Sequence, residues 1–415
     1  MDFLYQYKNG DINHSTLLKR NYFCPMISFD NTEVAFRGKS KNDLKRAYWL
    51  FKVVANPSLV KFGKWATTIA LKLRLPIKGI IKNTIFRQFC GGESIKESLS
   101  ASNKLASRNV KTILDYSIEG KTQEEDFEAT VQEIIGTIKE AEGNENIPFA
   151  VFKVTGICLY ELLQKANNGT EALSQEEQNQ YKILLQRVTR ICTEACNRNV
   201  PVFMDAEESW IQNTIDQLSY TMSLKFNRKR AIVYNTIQLY RHDRLEFLKK
   251  EIETARKENY KLGVKLVRGA YMEKERERAL KMGYPSPIQP NKESTDHDFD
   301  EALRMVVSNI DAISFCAGTH NEKSSLLLAN LLNENGISPD DPRAYFAQLL
   351  GMSDHISFNL ADKGLMVAKY VPYGPIKEVL PYLIRRADEN TSVTGQTNRE
   401  LALIIKERKR RKNPS

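Results

Sequence analysis

VKTILDY, residues 110–116, is a short run rich in β-forming residues, and seven more of its kind follow, separated by helical patterns. They begin near Phe149 (FAVFKVT), Val200 (VPVFMD), Ile232 (IVYNTIQ), Leu262 (LGVKLV), Ala312 (AISFCA), Ala344 (AYFAQLL) and Met366 (MVAKYV). Between the first two runs, Phe127, Val131, Ile134, Ile135 and Ile138 make an apolar helical stripe. Ahead of the third, Ser174 and Glu177 form a capping box before Leu184, Leu185, Val188 and Ile191. Strand and helix alternating eight times over roughly 300 residues point to an α/β chain folded as a (β/α)8 TIM-like barrel. A doubly wound open sheet is the second possibility.

The runs end in polar residues: Lys153 and Thr155, Asp205 with Glu207 and Glu208, Gln238, Lys265 and Arg268, Thr319 with His320 and Asn321, Gln348, and Tyr370. In a barrel these positions share the C-terminal face, where eight loops converge over a rigid floor and active sites form. The segment 284–300, YPSPIQPNKESTDHDFD, is Pro-rich and polar and long enough to act as a lid over that face.

Beyond the last run lies YVPYGPIKEVLPYLIRRADEN, residues 370–390. Tyr382, Arg385, Arg386 and Glu389 fall at i, i+3, i+4 and i+7, one face of a helix. Two guanidiniums on one face offer forked donors to a carboxylate or phosphate, with Glu389 placed to steady one of them and Tyr370 and Tyr373 as aromatic walls. A solvated face with an internal salt bridge is the plainer reading of the same spacing.

At 415 residues and 41% hydrophobic the chain can bury a large core. Its 61 basic and 51 acidic residues leave a net charge of +10, carried at the ends. Residues 1–90 hold 16 bases against 5 acids, KERKRRK at 406–412 adds +5, and the stretch between is mildly acidic. From Leu44 to Gly92 there is no acid, while Phe62, Trp65, Ile69, Leu73 and Ile77 recur among Lys61, Lys64, Lys72, Arg74, Lys78 and Lys82, with Pro57 and Pro76 expected to bound the helices. Such a basic, amphipathic arm suits an anionic membrane surface, or else packs on the main domain and shows its lysines to water. The expected organisation is a mainly helical basic arm at 1–95, the barrel at 96–405 and a basic tail at 406–415.

No run is long and apolar enough for a membrane span, no secretory signal is visible, and the six cysteines are scattered, so a cytosolic setting with reduced thiols is expected. Cys192 and Cys196, four apart in a helical pattern, read as core packing, and no metal motif stands out among five histidines. Neither G-x-G-x-x-G nor a P-loop occurs, which disfavours a Rossmann dinucleotide site and a nucleoside-triphosphate site.

With these residues assembled, the chain resembles the proline dehydrogenase family. MDAEES (204–209), KLVRGAY (265–271), GTHN (318–321), QLLGM (348–352) and KYVPYGPIKEVLPYLIRRADEN (369–390) are similar to family segments, in the family's order, within a resemblance running from about residue 90 to 400. ERERALKMGYPSPI, after KLVRGAY, looks most like the single-function branch of mitochondria and some bacteria. The resemblance implies non-covalent FAD at the barrel mouth and oxidation of L-proline to Δ1-pyrroline-5-carboxylate, the first step of proline catabolism to glutamate, with electrons passed to a membrane quinone. That role implies a cytoplasmic enzyme held peripherally on the inner face of the membrane.

By the same resemblance, Arg385 and Arg386 pair with the proline carboxylate and Glu389 supports them. Tyr271, Tyr370, Tyr382 and Leu349 or Leu350, with preference for Leu350, wall the substrate, and Lys153 and Asp205 line the floor. The flavin falls to Gln238, Lys265, Ala206, Val267, Arg268, Gly269, Ala270, Thr319, His320, Arg386 and Glu389. Many relatives carry Arg at the position of Lys265, which keeps the charge but not the fork. Relatives that prefer hydroxyproline carry a small residue where Tyr370 stands.

Two other classes fit parts of the pattern. Lys153 at a strand end is also where an aldolase-like barrel would hold a Schiff-base lysine, with Arg385 and Arg386 gripping a phosphate. A nucleic-acid binder would use the basic arm and tail, but the acidic body and the lack of a recognition motif argue against it, and no nucleic-acid partner is expected.

Overall fold

The computed structural model describes residues 27–56, 58–61, 63, 78–117, 122–392 and 394–413, and at 387–392 and 394–396 the backbone alone. Eight parallel strands close into a barrel in chain order: β1 (Val110–Tyr116), β2 (Phe149–Lys153), β3 (Val202–Asp205), β4 (Val233–Gln238), β5 (Leu262–Val267), β6 (Ile313–Gly318), β7 (Ala344–Leu349) and β8 (Val367–Tyr373). The last strand returns to the first, with Val110 opposite Val367 and Tyr116 opposite Tyr373, so the open-sheet alternative falls away. All eight runs are strands, because a parallel sheet covered on both faces is written as near-continuous apolar sequence.

Helices follow in order: α1 (Thr32–Phe36), α2 (Lys41–Val54), α3 (Lys78–Ile81, continued by a π-helical turn at Lys82–Phe86 and by Arg87–Phe89), α4 (Ile95–Ala106) and α5 (Glu124–Ala141). Next come α6 (Tyr160–Ala166), α7 (Gln175–Asn197), α8 (Ser209–Phe226), α9 (Arg244–Lys257), α10 (Met272–Met282) and α11 (Lys292–Ser308). The chain closes with α12 (Glu322–Glu334), α13 (Asp354–Ala361), α14 (Ile376–Ser392) and α15 (Thr394–Arg410). The stripe from Phe127 to Ile138 is buried on α5, and the Ser174–Glu177 capping box starts α7, on which Cys192 is fully buried.

Alternation along the strands sorts side chains into an outer core under the helices and an inner one inside the barrel. The inner core is an aromatic plug: Phe149 and Phe203 stack at 4.4 Å between ring centres, and Tyr234 and Tyr345 meet Phe149 edge-on at 5.6 and 4.8 Å. Above this plug the inward positions turn polar, and there the site begins.

The arm is stitched to the barrel. Lys39, between α1 and α2, and the fully buried Lys369 of β8 each lie 2.8 Å from the Asp354 carboxylate at the start of α13. Burial pulls the Lys369 ammonium down while the two amines hold the Asp354 carboxyl well below its ordinary range. Phe62, Trp65, Ile69, Leu73 and Ile77, with Lys64, Lys72, Arg74, Pro57 and Pro76, lie outside the described residues.

Two expectations are corrected. KERKRRK is not a free basic tail: it forms the end of α15 and the turn after it, where fully buried Glu407 accepts from Arg410 and Arg411. Arg411 also donates to the Phe36 and Lys39 carbonyls at 2.7 Å, so part of this charge anchors the arm. Nor is 284–300 one long lid. Asn291 accepts from the Ser294 N–H at 2.7 Å and starts α11 at Lys292, and Gln289 N–H donates to the Tyr240 carbonyl at 2.7 Å. No described helix is long and apolar enough to cross a membrane, and no group of described His, Cys, Asp and Glu is arranged to hold a metal ion.

Candidate active site

Lys265, inward on β5 and 5% exposed, is the centre of the polar layer. Its Nζ pairs with the Asp205 carboxylate at the end of β3 and donates to the Tyr370 hydroxyl of β8 at 2.6 Å, lying 4.7 Å from the centre of that ring. Phe203 stacks beneath Tyr370 at 6.3 Å. Three strands far apart in sequence are thus tied across the barrel axis. Burial, and then Asp205, push the Tyr370 phenol far above its ordinary value, so it stays a neutral donor.

Lys153 stands opposite Asp205 in the β2–β3 register. Asp115, inward on β1 and 8% exposed, joins this layer and was not singled out in the sequence. Burial raises its carboxyl, the nearby Asp205 adds to that, and Lys153, the Ser117 hydroxyl at 2.6 Å and Lys265 oppose it. A charged residue inside VKTILDY, on the parity of the inward Ile113, was the available signal. Gln238 at the end of β4 is 2% exposed, and its Nε2 donates to the Glu207 carbonyl at 3.0 Å.

The rim is built by β5 and β6. Arg268 donates to Asp296 of α11 at 2.7 Å, to Thr319 Oγ1 at 2.6 Å and to Ser324 Oγ at 2.9 Å, over the Phe299 ring at 4.3 Å. Gly269, at φ +138°, could not carry a Cβ, which would meet the Tyr240 ring at 2.5 Å, and with Ala270 it leaves exposed backbone beside Arg268. His320 shares a hydrogen bond of 3.0 Å with Ser353 Oγ. Burial, then Lys369, Arg386, His355 and Arg268, push its imidazolium down to about 3, so the ring is neutral. Ala206 and Val267 are half-buried at the ends of β3 and β5, and Tyr271 is half-buried at the entry to α10.

On α14, Tyr382 and Arg386 are buried, Arg385 is half-buried, and the Arg386 guanidinium lies 5.1 Å from the centre of the Tyr382 ring. The Glu389 side chain lies outside the described residues. Leu349 packs against both the barrel interior and the cluster containing Tyr382, whereas Leu350 packs on the outer core, so the inward wall is Leu349. Gln348 and Tyr373, taken as strand-end and wall residues, face outward: Gln348 accepts from Ser357 Oγ at 2.8 Å and Tyr373 OH donates to Glu133 at 2.9 Å.

The mouth is therefore that of a barrel enzyme with buried lysine, carboxylate and phenol on its floor and cationic groups at its rim. Residues 98–399 match the family model described as proline dehydrogenase. The chain is 32% identical over 426 residues to proline dehydrogenase 1, mitochondrial, of Dictyostelium discoideum, covering 92% of this chain and 74% of that protein. It is 30% identical over 421 residues to hydroxyproline dehydrogenase of Xenopus laevis, covering 93% and 90%. A crystal structure of proline utilization A from Bdellovibrio bacteriovorus superposes with a TM-score of 0.68 at 21% identity, over 87% of this chain and 38% of that one, a likeness of fold. The chain belongs to the proline dehydrogenase family. It is an oxidoreductase of proline catabolism on a TIM-like barrel, and the aldolase-like alternative falls away.

That family is FAD-dependent, and the mouth is chemically suited to the group. The buried Oε1 of Gln238 has no hydrogen-bond donor among the described residues, and the pyrimidine edge of a flavin carries an N–H that such an oxygen can accept.

Proposed function

We propose that this chain oxidises L-proline to Δ1-pyrroline-5-carboxylate at the C-terminal mouth of its barrel, with FAD bound without a covalent link and electrons leaving to a membrane quinone. The observation that carries the reading is the cluster of Lys265, Asp205 and Tyr370 in a chain of this family, whose helix after β8 bears Arg385 and Arg386. Bound FAD supplies the hydride acceptor. Gln238, Lys265, Ala206, Val267, Arg268, Gly269, Ala270, Thr319, His320, Arg386 and Glu389 are the residues that would hold it.

The chain's own residues bind and orient the substrate. Arg385 and Arg386 present forked donors to the carboxylate, fixing one end of the amino acid. Tyr370, Leu349, Tyr271 and Tyr382 wall the ring. Lys153, Asp205 and Lys265 form a polar floor toward the amine, which must lose its extra proton before the ring can be oxidised. Burial of Lys265, Tyr370 and Arg386 keeps water out and strengthens each of these interactions.

The membrane part rests on the arm. Trp49, Val53, Leu59 and Ile80 are exposed, at 54%, 43%, 47% and 67%, beside exposed Lys45, Lys52 and Lys61. Lys78 and Lys82 both pair with Glu93, at 3.1 and 2.7 Å, and contribute less. Both α2 and α3 pack toward α14, so this face lies near the arginine-bearing helix. An anionic membrane surface is the partner that such a face suits.

Proline-dependent reduction of a water-soluble acceptor by flavin-loaded protein tests the activity. Sedimentation with anionic against neutral vesicles tests the membrane reading separately. No turnover in flavin-replete protein removes the first, and equal binding to both vesicles removes the second.

A further inference from the structure

Glu207 lies two residues beyond the end of β3 and is 4% exposed, yet it is held on four sides. The Thr155 N–H donates to Oε1 at 3.1 Å, and the Thr155 hydroxyl donates to Oε2. The Glu207 N–H donates to Gln212 Oε1 at 2.8 Å, and its carbonyl accepts from Gln238. Thr155 follows Lys153 by two residues as Glu207 follows Asp205, and Lys153 and Asp205 are partners across the β2–β3 ladder. One carboxylate therefore ties together the chain just beyond two floor residues.

We propose that Glu207 is a positioning residue for proline oxidation, which clamps the turn after β2 and counter-charges Lys153, so that Lys153 and Asp205 stand together on the floor. This rests on the reading that the mouth oxidises proline. A half-buried ammonium is favoured by negative charge nearby, and a strand end needs a fixed turn to hold its last side chain. Glu207 supplies both.

The groups facing Glu207 set its response to pH. Burial raises its carboxyl to about 7, against Lys153 and the two Thr155 hydrogen bonds, while neighbouring Glu208 adds to the rise. The Cys158 thiol and Tyr160 hydroxyl also face it, and both are pushed up by burial. Glu208 is itself paired with Lys274 of α10. Below about 7 the Glu207 carboxyl takes a proton, its hydrogen bonds with Thr155 weaken and one of the negative charges facing Lys153 is lost. Above it the clamp is complete, so efficiency rises with pH through that region.

The test uses the full chain loaded with FAD and a water-soluble electron acceptor, with kcat/KM for proline followed across pH for wild type, Glu207→Gln, Thr155→Val and Thr155→Ser. Glu207→Gln should lower kcat/KM about 10- to 100-fold, the size of effect that a displaced floor produces, with flavin content unchanged. The wild-type limb near 7 should vanish, leaving only the slope due to substrate ionisation. Thr155→Ser, which keeps both donors, should keep the wild-type profile, and Thr155→Val should shift the limb. A folded, flavin-replete Glu207→Gln enzyme that retains both the limb and an efficiency within about twofold of wild type would overturn the proposal. Should Glu207→Gln lose its flavin, the limb in Thr155→Val decides: displaced, it supports the clamp, and unmoved, it overturns it. Failure of wild type itself to turn over proline would instead remove the underlying reading.

Discussion

Lys265 Nζ and the Tyr370 hydroxyl meet at 2.6 Å across the barrel, and the same amine pairs with Asp205. Lys265→Met should leave the part-buried Asp205 carboxylate, 15% exposed, without its cation and cost up to about 3 kcal/mol of stability. Chemical denaturation reads this, and a loss below about 1 kcal/mol would mean that the pair is only as strong as one exposed to water.

Tyr370, buried at 7% exposure, would also close the proposed substrate wall. Proline should be preferred over hydroxyproline, and Tyr370→Ser should narrow that preference by opening space for a ring hydroxyl. The ratio of kcat/KM for the two substrates decides it. Equal wild-type efficiency would mean that this wall does not sort them.

The paired arginines separate ligand binding from surface charge. Replacing Arg385 or Arg386 with Met should cost about 2–5 kcal/mol of substrate interaction, because a desolvated carboxylate loses one of its donors. The loss should appear in kcat/KM with a raised KM, since the anchor is used in ground and transition states alike. Steady-state kinetics with flavin occupancy checked first are the measurement, and changes under about 1 kcal/mol for both would return the helix to a solvated face.

Glu322 predicts acid sensitivity. His355 at 3.0 Å and Arg399 at 2.7 Å, opposed by burial, hold its carboxyl at about 2 against an ordinary 4.5. A carboxylate depressed by folding contributes stability above its unfolded value, which is lost as pH falls through the folded one. Stability should therefore decline between about 4.5 and about 2, and Glu322→Gln should flatten that part of the curve in thermal melts taken across pH. An unchanged slope would assign the acid lability to other groups, with Asp354 the next to replace.

The barrel was legible because its eight strands are apolar runs between marked helices, and the polar floor because Lys153, Asp205 and Lys265 end such runs. What the sequence hid was direction. Gln348 and Tyr373 also end strands but point outward, and Leu349 rather than Leu350 faces in, since one step along a strand reverses the face. Asp115 was hidden inside an apolar run, and Glu207 was visible as a strand-end acid without its bond to Thr155, a contact between separate loops. Proline and polar density around Ser286 masked the Asn291 cap that starts α11. Charge density in KERKRRK masked Glu407, whose buried carboxylate makes that segment an anchor.

The central claim, that this barrel mouth oxidises proline with a flavin, is tested most directly by adding proline without oxygen to purified, flavin-loaded protein and following the visible flavin absorbance. The account predicts that the band bleaches with proline and that acid-denatured protein releases free FAD. A flavin-replete sample whose band is unchanged by proline would contradict it.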